Sequence, residues 1–143
     1  MNRLNIITLG VKDIKKSFLF YQGLGFKTNK SLDDKLDIVF FNNQGTKLAL
    51  YPIDALSMDI NEVNPPKKTH GFSGITIAYN TKTKEEVDKV LKLAESLGAE
   101  IIKPARHVFW GGYSGYFKDL DGYLFEVAYS DAWEFDESDM LKV

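Results

Sequence analysis

With 143 residues, 44% of them hydrophobic and 27% charged, the chain has the length and composition of one folded domain with a proper core and room for an internal duplication. A net charge of −2, with 18 basic residues scattered along the chain, argues against nucleic acid as a partner, and no apolar run approaches membrane-spanning length. The absence of cysteine removes disulfides, thiolate metal sites and thiol nucleophiles together, so only oxygen and imidazole ligands remain.

The opening stretch MNRLNIITLGVKD has neither the length nor the cleavage site of a signal peptide, and a cytoplasmic location is the expectation. LNIITLGV reads as a strand, and Asp13 then caps a helix whose apolar side is Ile14, Phe18 and Tyr21, ending at Gly23 or Gly25. LDIVFFNN and TKLALYP read as strands joined by the turn NNQG, with room for one more short strand at FKTNK. From Pro52 to Gly71 the mixed polarity and the pair Pro65 and Pro66 predict a linker or flap.

The order then repeats. GITIAYN predicts a strand, and Thr83 with Glu86 predicts a capping box before a helix with Val87, Val90, Leu91, Ala94 and Leu97 on its buried side, stopped by Gly98. EIIKP, SGYFKD and YLFEVAY predict three more strands. GLGF at 23–26 corresponds to SLGA at 96–99, and FFNNQGTKLAL at 40–50 to YFKDLDGYLFEV at 116–127. The predicted fold is α+β, two tandem β-α-β-β-β modules forming a cup-shaped mixed sheet with the helices outside. Module 1 spans about 1–53, the linker or flap about 54–71, module 2 about 72–130, and an acidic tail 131–143. DLDG at 119–122 is too short for a calcium loop, and a tight hairpin turn accounts for it.

Three stretches carry a family resemblance: VKDIKKSFLFYQGLGF after the first strand, GFSGITIAYNTKTKEEVDKVLKLAESLGAEIIKPA in the second module, and FWGGYSGYFKDLDGYLFEVAY near the end. Together they resemble the vicinal oxygen chelate superfamily of glyoxalases, bleomycin-resistance proteins, fosfomycin-resistance proteins and extradiol dioxygenases. Leu120 stands where the family pattern usually has proline, and Phe125 where it has tryptophan. The resemblance implies the glyoxalase/bleomycin resistance fold, a small-molecule ligand and, as in many relatives, a homodimer. It also implies four positions where metal-dependent members place ligands. These fall on Ile6, Gly74, Ala49 (or Leu50 in the next register) and Glu126, so only Glu126 carries a donor side chain.

Alternation along YLFEVAY puts Leu124, Glu126 and Ala128 on the concave face and Phe125 and Val127 toward the helix. Glu126 is then a candidate acid or base, an anchor for a cationic or hydroxylated ligand, or a structural acid bonded to a neighbouring tyrosine or backbone amide. Trp110 and Tyr113, beside a glycine pair, would give a stacking face and a hydroxyl, or else fill the cup or pack a dimer interface. Thr8, Tyr51 and Thr76 join the same concave surface, and His107 lies in the loop KPARHVFWGG next to the aromatics. Lys103 and Arg106 either meet an anionic substrate or form a solvated strand end.

The leading expectation is a glyoxalase/bleomycin-resistance-like protein that binds a small organic molecule in an aromatic-edged cup, without the usual metal site and with no cofactor. The alternative is a lyase, isomerase or dioxygenase using a divalent metal held by Glu126 with His70 or His107, or by ligands shared across a dimer.

Overall fold

The structure, a computed structural model, describes residues 2–69 and 71–142, and His70 therefore lies outside the described residues. The chain divides into two compact units, Met1–Phe72 and Ser73–Val143. Each carries a mixed sheet, and with three helices in all the described residues form an α+β fold.

In the first unit the β-branched run gives β1 (Ile6–Val11), and Asp13 starts α1 (Ile14–Gly23) by accepting the Lys15 and Lys16 amides at 3.1 Å each. The helix buries Ser17, Phe18, Phe20 and Tyr21, whereas Ile14 stays half-exposed. Tyr21 packs on Phe26 and Phe41 with ring centroids 5.5 and 5.7 Å apart, which fixes α1 on the sheet face that Phe41 shares with Leu48 and Leu50. The sheet order is β1-β3-β2, with β3 (Lys47–Pro52) parallel to β1 and antiparallel to β2 (Val39–Phe40).

Two expectations fail in this unit. The strand expected over LDIVFFNN pairs only at Val39 and Phe40, and FKTNK forms no strand. Asn43 gives a reason for the early end: its side chain donates to the Gln44 and Thr46 carbonyls and accepts the Leu48 amide at 3.0 Å, so local bonds replace ladder bonds at the hairpin. The segment read as a linker or flap opens with α2 (Ile53–Ile60), which follows β3 directly. Ile53 and Leu56, one turn apart, lie over Gly10: a β-carbon placed there would sit 2.3 Å from Ile53 Cδ1 and 3.1 Å from Leu56 Cδ2. Only glycine lets α2 close on β1 in this way.

The second unit is the more complete module. It runs β4 (Thr76–Asn80), α3 (Lys84–Ser96), β5 (Glu100–His107), β6 (Tyr113–Lys118) and β7 (Leu124–Tyr129), and the last strand inserts beside the first in the order β4-β7-β6-β5. Thr83 Oγ1 accepts the Glu86 amide at 3.2 Å, as a capping box requires. The Glu86 carboxylate reaches back to the Lys82 amide at 3.2 Å and also takes the Tyr79 phenol at 2.7 Å. Val87, Leu91 and Ala94 are the fully buried positions of α3, while Val90 and Leu97 are half-buried. Burying a valine and a leucine contributes on the order of 2 kcal/mol each, enough to hold a short amphipathic helix against its sheet.

At the β6–β7 hairpin, Asp119 Oδ1 accepts the Asp121 and Tyr123 amides at 3.0 and 2.8 Å, and Gly122 takes φ 92°. The turn is held by Asp119, the first residue of DLDG. Beyond β7 the acidic tail folds back on its own unit. Lys82 pairs with Asp139, Phe135 forms an isolated bridge with Leu141, and Trp133 stacks on Trp110 with centroids 5.7 Å apart.

Candidate functional site

The four-stranded sheet has one face covered by α3 and one without a helix of its own unit. The α3 side is identified by Gly115, where a β-carbon would lie 2.5 Å from Leu91 Cδ1, and by Tyr113, whose phenol donates to Asp88 of α3 at 3.0 Å. Pleating then sends Ser114, Tyr116 and Lys118 to the opposite face, and the strand register carries that assignment across the sheet. Tyr116 is paired with Glu126 and Glu126 with Ala78, while Leu124 is paired with Thr76 and Ala128 with Asn80. Glu126 is thus half-exposed in the middle of the open face, on the strand flanked by both β4 and β6.

Tyr116 donates its phenol to the Glu126 carboxylate. Burial first, and then that bond and the nearby negative charge, push the phenol above its ordinary range. Tyr116 is therefore a firm hydrogen-bond donor at neutral pH, and it leaves part of the carboxylate's acceptor capacity open to a ligand.

On the other side of Tyr116, Lys103 Nζ donates to Ser114 Oγ at 2.9 Å and lies 4.8 Å from the Tyr116 ring centroid. It reaches this face because β5 is irregular. Ile101 pairs with Phe117, yet Lys103 pairs with Tyr116 and Arg106 with Ser114, so the register shifts twice within β5. Each shift adds a residue to β5 and re-aims the next side chain. A regular strand would have sent Lys103 toward α3.

The other sequence candidates separate. Thr76 lies on the open face, one row from Glu126. Tyr113 and His107 are a paired couple on the α3 side, their rings 5.2 Å apart, so neither faces Glu126. His107 also ends β5 rather than lying in a loop. Trp110 stacks on Trp133 instead of standing beside Tyr113, and its ring covers Gly112. Thr8 and Tyr51 belong to the first unit, where they share the sheet face of Ala49 and Gly10, the Gly10 end of which α2 covers.

Tyr116, Ser114 and Lys103 were the residues that sequence reasoning undervalued. The signal for the first two was present: a hairpin turning at 119–122 places Tyr116 opposite Glu126.

The structure also bears on metal binding. Among the described residues no three His, Cys, Asp or Glu side chains form a group able to hold an ion. Ile6, Ala49 and Gly74 bring no donor side chain, and His107 is on the wrong side of the sheet to join Glu126. Among the described residues, those at the ligand positions that the resemblance implies do not fit the usual metal centre.

A family model, the Glyoxalase/Bleomycin resistance protein/Dioxygenase superfamily, matches residues 3–127, most of the chain. The chain belongs to this superfamily. No curated protein matches it. Among solved structures, a glyoxalase-related enzyme from Fulvimarina pelagi is 24% identical, with a TM-score of 0.86 over 100% of this chain and 99% of that one. A genomically encoded fosfomycin resistance protein from Listeria monocytogenes is 29% identical, with a TM-score of 0.64 over 98% and 99%. A lactoylglutathione lyase from Agrobacterium tumefaciens is 23% identical, with a TM-score of 0.66 over 94% and 98%. The family model takes in the α2 segment and ends at residue 127, and the likeness of fold to the Fulvimarina pelagi structure covers the rest of the chain as well. No helix of the described residues is long and apolar enough to cross a membrane.

Proposed function

We propose that this glyoxalase-superfamily chain binds a small organic molecule on the open face of its second sheet and does so without the usual metal. The observation that carries the reading is Glu126, half-exposed at the centre of that face and bonded to the Tyr116 phenol from the neighbouring strand. A carboxylate held in place by one donor, with acceptor positions to spare, orients a hydroxyl or amine of a ligand, or takes a proton from it. Thr76, one row away, adds a hydroxyl. Trp110 and Trp133, stacked on each other and the only two tryptophans in the chain, make a fluorescent reporter of events at the edge of the unit.

Metal analysis of untagged protein, with thermal unfolding across a series of divalent ions, tests the metal-free part. The expected result is no stoichiometric metal and no large stabilisation. One equivalent of bound metal that disappears in Glu126→Gln overturns it in favour of a metal-dependent lyase, isomerase or dioxygenase. A ligand screen read by thermal shift, run in parallel on the wild type and Glu126→Gln, tests the binding part: true ligands lose their stabilising effect in the variant.

A further inference from the structure

Lys103 and Arg106 are brought to the open face together by the two register shifts of β5, and neither has a carboxylate partner within ion-pair distance among the described residues. The contrast with the next row is informative. Lys118, on the same face, is neutralised by an ion pair with Glu100 across the same strand pair. The Lys103 ammonium touches only a hydroxyl and a ring face, and that hydroxyl belongs to Ser114, which is fully buried. These contacts fix the position of the ammonium and leave its charge uncompensated. Adjacent strands lie about 4.8 Å apart, so two strand spacings put the Lys103 backbone roughly 10 Å from the Glu126 backbone, and the ammonium reaches back over Tyr116 between them.

We infer that the ligand of this face is a small organic anion, its negative group held by Lys103 and Arg106 and its hydroxyl end by Glu126. The inference rests on the binding reading above and deepens it. An anion supplies the charge that Lys103 and Arg106 lack, while the buried Ser114 hydroxyl holds the Lys103 ammonium in place. A carboxylate-bearing molecule with a hydroxyl a few bonds away spans the gap between the two ends. A cationic ligand would meet Lys103 and Arg106 as like charges at the β5 side of the face.

Three probes of matched size separate the cases: 3-hydroxypropanoate (anion), 3-hydroxypropanamide (neutral) and choline (cation). Each is titrated into 15N-labelled full-length protein, and amide shifts of residues in β5, β6 and β7 are followed. The expected result is that 3-hydroxypropanoate shifts these resonances with an affinity about tenfold or more above the amide, and choline least of all. Lys103→Met removes most of the preference for the anion: the affinity for 3-hydroxypropanoate falls about tenfold or more, and that for the amide falls far less. Lys103→Arg, which keeps the charge, retains the preference, and a cooperative thermal transition in each variant shows that the fold survives.

Equal binding of anion and amide, or tighter binding of choline, overturns the anion inference and leaves the small-molecule reading standing. If none of the three moves resonances on this face, both readings fall. A preference for the anion that survives Lys103→Met also refutes the inference, because the selectivity then comes from elsewhere.

Discussion

The approach of β5 to Gly115 yields a sharp prediction. A β-carbon at Gly115 would lie 2.5 Å from Leu91 Cδ1, 2.8 Å from the Lys103 carbonyl oxygen and 3.0 Å from the Ala105 amide nitrogen. The first contact can be relieved by a leucine rotamer. The other two are backbone atoms of the irregular stretch of β5, and they recede only if that strand moves. Gly115→Ala is therefore expected to destabilise the protein by about 1–3 kcal/mol, the usual cost of overpacking. For a chain of this size that corresponds to a fall of roughly 3–12 °C in the thermal midpoint. The double variant Gly115→Ala/Leu91→Ala separates the two sources. If only the leucine were in the way, removing it would relieve the overpacking and the paired change would be strongly non-additive. With the backbone as the main obstacle, the costs of the two changes add to within about 0.5 kcal/mol. Thermal and denaturant unfolding of the four proteins in the cycle measure this. A Gly115→Ala protein as stable as the parent, or a cycle in which Leu91→Ala abolishes the cost, refutes the claim that this glycine exists to admit the β5 backbone. The consequence reaches the site, because that same stretch of β5 delivers Lys103 and Arg106 to the open face.

Asp119→Ala removes the acceptor for two hairpin amides and should cost about 1–3 kcal/mol in denaturant unfolding, whereas Asp119→Asn, which keeps an acceptor oxygen, should cost much less. The Tyr79 phenol, raised to about 12 by burial and then by its bond to Glu86, keeps its proton in the folded protein after an unfolded tyrosine has lost one. The stability it contributes is complete below pH about 10 and is lost as pH rises through about 12, and ultraviolet titration of Glu86→Gln should show the phenol ionising at lower pH than in the parent. Gly10→Val would push against Ile53 and Leu56, so hydrogen exchange in α2 should quicken while α3 is unaffected, and unchanged protection in α2 would contradict the packing described for it.

How much of this was legible in the sequence differs by element, and the reasons are physical. The second module could be read almost whole because its signals are local: Thr83 and Glu86 start α3, Gly98 at φ 102° ends it, and the β6–β7 turn fixes the pairing of the strands around it. The orientation of Glu126 followed from pleat alternation alone. The same alternation, counted back through the hairpin, sends Tyr116 to the face of Glu126 and Tyr113 to the other. Tyr113 was expected in the site because of its nearness in sequence to Trp110, and nearness in sequence does not determine a face. The first shift in β5, at Ile102, carries no local signature, whereas Pro104, which cannot donate a ladder bond, marks the second; how closely β5 approaches Gly115 is a tertiary fact that no local pattern shows. Helix α2 was hidden for a related reason. Its residues Ile53 and Leu56 bury little area of their own, and the space they fill is created by the missing side chain of Gly10, 43 positions before Ile53.

These placements bear on what Glu126 does in a superfamily whose members often use divalent metals. A metal centre needs several lone pairs converging on one point, supplied by carboxylates or neutral imidazoles. Around Glu126 the open face presents mostly the opposite: the Tyr116 phenol, the Thr76 hydroxyl and the Lys103 ammonium. Moreover, Gly74 lies before β4 at φ 78°, a left-handed conformation that a histidine adopts only with strain, so substituting a ligand there would not rebuild the missing corner. The phenol and the ammonium are donors, not ligands, and the ammonium's positive charge works against a second cation nearby. The face is therefore polarised, acceptor at Glu126 and donors toward β5. That polarity suits a molecule carrying a hydroxyl at one end and negative charge at the other far better than it suits an ion.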